Sequence, residues 1–407
     1  MALKFEHQQL PNGLDVVGEI NSDSHSVALG LFVKTGARDE TIEINGVSHF
    51  LEHMMFKGSQ KYTWEDVNRI FDEIGARYNA FTSQEMTAYY ANVLPEFTER
   101  AVEHLAHLLR PAIRLDDFTT EKKVILEEIA MYLDDPGHRL YEKLMEEHFG
   151  KHPLSMSVLG SSDSIAKLQQ PQMKDYFQKR YGPGNMVCVA TGNFDFAEVV
   201  ALVEKYMGHW PRVDAPRKQT EPRFKSQRDM LTDTKLNRQY TMAMTPGPSA
   251  QDDRRFAARI LSDLVGDSDG SRFYWALVDN AIAEDAEFGF YPHDGLGSFY
   301  IALVTEPDRA EKALKIALDE LQKVKTDVKD DEVQRAKNKI ASGIVLQGEV
   351  PMGRLRAIGS QWTYNQEYRS LEQDMATLNA VTTDSLRKLM RDFPFDPMTI
   401  VSLGPGK

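Results

Sequence analysis

A single cysteine in 407 residues excludes any disulfide within the chain. Cys188 lies in the apolar run Met186-Val187-Cys188-Val189-Ala190, where a small thiol reads as packing rather than chemistry. Long hydrophobic runs are missing as well: no stretch of 18 or more apolar residues occurs, so no membrane-spanning helix is expected. The start, Met1-Ala2-Leu3-Lys4-Phe5-Glu6-His7, carries neither the apolar centre of a secretory signal nor an Arg-rich amphipathic presequence, and a cytoplasmic location is the default expectation. Basic charge is scarce. With 48 Lys and Arg against 61 Asp and Glu, the net charge is −13, which argues against a nucleic-acid partner and mildly favours basic peptides over acidic ones.

What is present begins with length and pattern. A chain of 407 residues exceeds one ordinary hydrophobic core and implies two or more domains. Asn12-Gly13 marks a tight turn, Val27 to Val33 reads as a buried strand, and Thr63 to Ile74 as a helix closed by Gly75. Tyr78 to Thr82 and Thr87 to Val93 read as paired strands, Glu96 to Leu109 and Thr120 to Leu133 as helices, and Asn185 to Gly192 as another strand. Pro211 to Pro222, with three prolines and many charges, reads as a linker.

Beyond the linker the order of elements repeats. A shift of 212 residues lays Met186-Val187-Cys188-Val189-Ala190-Thr191-Gly192 on Met398-Thr399-Ile400-Val401-Ser402-Leu403-Gly404, and Val27 to Val33 on Gln239 to Thr245. Internal duplication is the simplest account. The expected division is residues 1–212, a linker at 213–225, and a homologous domain at 226–407, both domains of α+β class.

The chemistry concentrates in Val47-Ser48-His49-Phe50-Leu51-Glu52-His53-Met54-Met55. On a helix, His49 and His53 fall one turn apart on one face with Glu52 beside them. Two imidazoles so placed suit a zinc ion, and the adjacent carboxylate suits a general base; the order His-x-x-Glu-His inverts the commoner zinc-peptidase motif. The 212-residue shift carries the three onto Leu261, Leu264 and Val265, so only the first half would hold metal. A catalytic zinc needs a third protein ligand. In Thr120 to Leu133 the stripe of Ile125, Ile129 and Tyr132 turns Glu121 and Glu128 inward and Glu127 outward. Two inward carboxylates need a cation, either a metal or a Lys or Arg partner.

His49-x-x-Glu52-His53, followed 75 residues later by Glu128 with Glu121 seven before it, resembles the pitrilysin or insulysin family, including relatives of mitochondrial processing peptidase. So do Phe56-Lys57-Gly58, Asn79-Ala80-Phe81-Thr82, His152-Pro153-Leu154, Ser271-Arg272-Phe273 and Glu332-Val333-Gln334-Arg335, and the similarity spans nearly the whole chain. The resemblance implies two homologous αβ-sandwich domains, each an antiparallel-type sheet covered by helices, closing as a clam shell. It further implies one Zn²⁺ per chain held by His49, His53 and Glu128, with Glu52 as general base and Glu121 as a supporting acid. Unfolded peptide would add as a strand along Asn79, Ala80 and Phe81. The family's Arg and Tyr, seven apart in the second half, fall here on Val278 and Asp285. That departure implies a homologous partner subunit, in a heterodimer or a homodimer, that supplies the missing pair. The alternative is a non-catalytic scaffold or peptide-binding subunit of the same fold.

Overall fold

The computed structural model describes residues 3–406. Its first strands, β1 (Lys4–Gln9) and β2 (Asp15–Ile20), are antiparallel neighbours joined at Asn12-Gly13, where Gly13 takes φ +90° and Asn12 Oδ1 accepts the Leu14 N–H. Val27–Val33 forms β3, buried at every position, which is why its sequence shows no alternation. With β4 (Arg77–Thr82), β5 (Thr87–Val93) and β6 (Met186–Gly192) these make a sheet of order β1-β2-β6-β3-β5-β4, in which β2 and β6 run parallel and the other neighbours antiparallel.

The second sheet holds β7 (Gln227–Thr232), β8 (Gln239–Gly247), β9 (Asp285–His293), β10 (Leu296–Thr305) and β11 (Thr399–Gly404) in the order β7-β11-β8-β10-β9. This is the first sheet's order without a counterpart of β1, and again one pair, β7 with β11, is parallel. The 212-residue shift carries β2 onto β7 residue for residue, so the duplication read from sequence is present in the topology.

Among the described residues of the first half the α-helices are α1 (Val47–Met55), α2 (Trp64–Glu73), α3 (Thr98–Leu108), α4 (Leu115–Leu133), α5 (Pro136–Phe149), α6 (Ser162–Lys167), α7 (Gln170–Arg180) and α8 (Phe196–Met207). The second half adds α9 (Arg255–Gly266), α10 (Ala310–Asp327), α11 (Asp330–Gly348), α12 (Pro351–Asn365), α13 (Leu371–Ala380) and α14 (Thr383–Asp392). The fold is α+β, as expected.

The compact units interleave along the chain. Unit 1 comprises Met1–Ala130, Met156–Lys218 and Leu346–Ser370; unit 2 comprises Met131–Ser155, Gln219–Val345 and Leu371–Lys407. A division at the linker therefore differs from the units by one helix on each side. α12, from the second half, lays Leu355, Ile358 and Trp362 on Val17, Phe32, Ala88 and Val189 of the first sheet. α5, from the first half, lays Leu140, Leu144 and Phe149 on Met244, Val401 and Leu403 of the second. Each apolar stripe is buried as its periodicity requires, but on the sheet of the other half.

The linker has no helix or strand from Pro211 to Ser226, yet it is anchored in unit 1. Arg217 grips Asp39 with Nε at 3.0 Å and Nη2 at 2.7 Å, and donates to the Glu85 carbonyl at 2.8 Å.

Candidate metal centre

α1 starts from Gly46, which sits at φ +92° with so little room that a Cβ would lie 2.5 Å from the Leu159 carbonyl oxygen. Glu40 faces this end. Its Oε2 accepts the Gly46 N–H and its Oε1 the Ser48 N–H, both at 2.7 Å, so a carboxylate satisfies amides that the helix itself leaves unpaired. Burial pushes the Glu40 carboxyl up to about 7 against the pull of those hydrogen bonds.

Phe50, Leu51, Met54 and Met55 bury one side of α1, and Phe50 stacks on Phe118 of α4 with ring centroids 4.8 Å apart. That contact sets α4 beside α1, with Phe118, Glu121, Ile125 and Ile129 as its buried stripe. Glu121 is buried, Glu128 half-buried and Glu127 exposed, the order that the stripe predicts.

His49 Nε2 lies 3.8 Å from Glu128 Oε1, and His53 Nε2 lies 3.6 Å from Glu128 Oε2. One ligand atom from each of the three residues lies within 4.8 Å of the others, and among the described residues this is the one such group. Donors about 2.0–2.2 Å from a tetrahedral ion stand roughly 3.3–3.5 Å apart, so Glu128 is already near that spacing from both imidazoles and the set would take Zn²⁺ once the donors draw together. The donor types, two imidazoles and a carboxylate, fit it too.

The second nitrogen of His53 is occupied: Nδ1 lies 2.9 Å from Glu121 Oε1, and Lys57 Nζ lies 2.5 Å from Glu121 Oε2. Glu121 thereby fixes which His53 nitrogen faces Glu128. His49 Nδ1 is buried and has no hydrogen bond among the described residues, and the ring lies edge-on to His53 with centroids 4.7 Å apart. Burial, with the neighbouring His53, lowers the His49 pKa to about 4 and keeps it neutral, as a ligand must be. For His53 burial also opposes the charged form, but the hydrogen bond to Glu121 and the charges of Glu128, Glu121 and Glu52 outweigh it and raise the pKa.

Glu52 projects beside this group. Burial raises its pKa, and Thr82 Oγ1, on β4, donates to Glu52 Oε2 at 2.6 Å. Thr82 and Lys57 stand in stretches that carry the family resemblance, but the sequence assigned neither a role at the metal group. Lys57 follows His53 by four positions and was within reach of helical periodicity, whereas the Thr82 contact arises from tertiary packing alone.

Asn79, Ala80 and Phe81 lie on β4, the outer strand of the first sheet. Residue parity puts only Ala80 on the Glu52 side with Thr82, and its N–H is accepted by Asn79 Oδ1 at 2.9 Å. In unit 2, Val278 packs against the core and Asp285 is exposed at the start of β9.

Residues 15–162 match the family model described as Insulinase (Peptidase family M16), and residues 167–340 match the one described as Peptidase M16 inactive domain. An uncharacterized zinc protease of Mycobacterium tuberculosis is 30% identical over 413 residues, covering 99% of this chain and 94% of that protein. The chain belongs to peptidase family M16. Mitochondrial-processing peptidase subunit beta of Saccharomyces cerevisiae is 27% identical over 403 residues, covering 93% of this chain and 86% of that one. The crystal structure of a protease from Helicobacter pylori matches with a TM-score of 0.92 at 20% identity, over 99% of this chain and 100% of that chain, a likeness of fold. The M16 model described as inactive covers α9, where Leu261, Leu264 and Val265 replace His49, Glu52 and His53 and are buried as core.

Proposed function

We propose that this chain is a zinc-dependent endopeptidase subunit that hydrolyses unfolded peptides, completed by a homologous partner. The observation that carries the reading is the convergence of His49, His53 and Glu128 with Glu52 alongside, four ionisable groups brought together from two helices. A zinc ion held by those three residues would supply Lewis acidity at the scissile carbonyl and lower the pKa of a water. Glu52, its carboxyl raised by burial and held on one oxygen by Thr82, takes the proton of the attacking water and returns it to the leaving amine. Glu121 and Lys57 keep the His53 imidazole in one orientation. Peptide adds along β4, where main-chain hydrogen bonds bind an extended strand of any sequence, and Asn79 releases the Ala80 N–H as it does so.

Dependence on a partner is supported by Val278 and Asp285, a packed aliphatic group and an exposed acid that cannot supply an oxyanion donor; the loss of one such donor costs about 10²- to 10³-fold. The same two residues favour the second reading, a peptide-binding subunit without hydrolytic activity. Zinc content and cleavage of quenched peptides, measured for the chain and for Glu52→Gln with and without a homologous chain, separate the two. The first reading expects bound zinc in both proteins and a loss of about 10²- to 10⁴-fold in Glu52→Gln. Equal cleavage by both in every mixture ends it.

A further inference from the structure

β4 pairs with β5 on one side and, among the described residues, with no strand on the other. Its side chains alternate between two faces. Thr82 reaches Glu52, and Tyr78 stacks on Phe71 at 3.9 Å, so positions 78, 80 and 82 face α1 and α2. Phe81 lies 6.5 Å from the Tyr90 ring and packs against the cluster that holds Tyr90, Leu355 and Ile358, so positions 77, 79 and 81 lie on the face covered by α12.

On that second face stand two guanidinium groups without an acid. Arg77 is exposed and makes no ion pair among the described residues. Arg356, exposed on α12, donates from Nη2 to the Tyr90 hydroxyl at 2.7 Å and lies 5.0 Å from that ring's centroid, and it too makes no ion pair. Tyr90 stands directly across from Asn79 in the β4–β5 register, so Arg356 is moored beside the outer strand. A phenol and its π face hold a guanidinium in place without neutralising it. Arg38, Arg180, Arg217 and Arg354 of the same unit are ion-paired, and Arg110, which is not, is half-buried 3.4 Å from the Trp210 ring centroid rather than exposed at a sheet edge. With acids outnumbering bases 61 to 48, two uncompensated arginines on one face of a sheet edge form a local reversal of the chain's overall charge.

We propose that the β4 edge selects acidic peptides: Arg77 and Arg356 receive Asp or Glu side chains from those residues of an added strand that alternate to the α12 face. This rests on the reading that peptide adds to β4. A strand added about 4.8 Å outside β4 sets its side chains beside Arg77, and opposite charges placed across neighbouring strands attract. Arg356, on its longer reach from α12, meets the same row. The residues of the peptide that face Glu52 are outside this selection, so acid is favoured in one phase of the alternation and not in the other.

The test uses one quenched decapeptide with Gln, Glu or Lys placed at all odd or all even positions. Its dissociation constant is measured on Glu52→Gln, and kcat/KM on the parent chain with its homologous partner. Both are repeated with Arg77→Gln, Arg356→Gln and the double substitution. Glu in one phase is expected to bind about three- to tenfold tighter than Gln, with Lys weaker still. The preference should shrink with added salt and fall below about twofold in the double variant, the change residing in KM rather than kcat. A preference equal in both phases, one that survives the double substitution, or no peptide binding at all overturns the proposal. Phase-dependent acid selection without any cleavage upholds it while refuting the peptidase reading.

Discussion

Glu19 on β2 and Arg354 on α12, 335 residues apart in the chain, form a buried two-pronged ion pair, with Arg354 Nε 2.7 Å from Oε1 and Nη2 2.5 Å from Oε2. Tyr368 donates a further hydrogen bond to Oε2 at 2.7 Å. Glu19→Ala would strand a guanidinium in the interior of unit 1, and breaking a buried pair in this way costs about 3–5 kcal/mol. Urea denaturation of the variant should show that loss; a change under about 1 kcal/mol would mean that the pair is not what holds α12.

Glu121→Gln should weaken metal binding about 10- to 100-fold, because Oε1 fixes the His53 ring and Oε2 carries the charge that pairs with Lys57. Competition with a chelator of known zinc affinity measures this directly. Unchanged affinity would assign Glu121 a role apart from the histidine.

Gly46→Ala forces a side chain into the left-handed region and against the Leu159 carbonyl. The strain alone is of order 1–3 kcal/mol, and relief requires the start of α1 to draw back from Leu159 and Gly160. Thermal unfolding should register the loss. Zinc affinity should fall with it, since His49 lies three residues further along.

Acid sensitivity is expected from His148, on the helix that covers the second sheet. Burial, with His293 close by, lowers its pKa from 6.5 to about 3, while Nδ1 lies 3.2 Å from the Thr399 hydroxyl. Between those two values the unfolded chain takes a proton that the folded one refuses. The contribution is therefore complete above pH 6.5 and drains away as the pH falls through that window. Denaturation midpoints for the parent and His148→Gln, followed from pH 7.5 to 4.5, should converge on acidification; parallel curves would assign the acid response to other groups.

Much of this was legible in the residues. An uncharged seven-residue run can hardly be anything but an internal strand, and Val27–Val33 is one to the residue. The spacing of His49, Glu52 and His53 needs only the helical period, and the stripe of α4 needs only its apolar positions to sort Glu121 and Glu128 from Glu127. The destination of α5 and α12 was not legible. An amphipathic pattern says that a face will be covered, not by which sheet, and proximity in sequence favours the wrong one. Arg217 shows the same limit: amid prolines and charges it reads as solvated, and only folding reveals Asp39 waiting for it.

Because α5 and α12 have traded places, neither gene half encodes a finished layer structure. A chain severed within the Pro-rich stretch would yield two pieces that each lack a lid, with bare sheet exposed on both. Such pieces would be poor folders in isolation and would recover only when mixed, each supplying the helix that the other lacks.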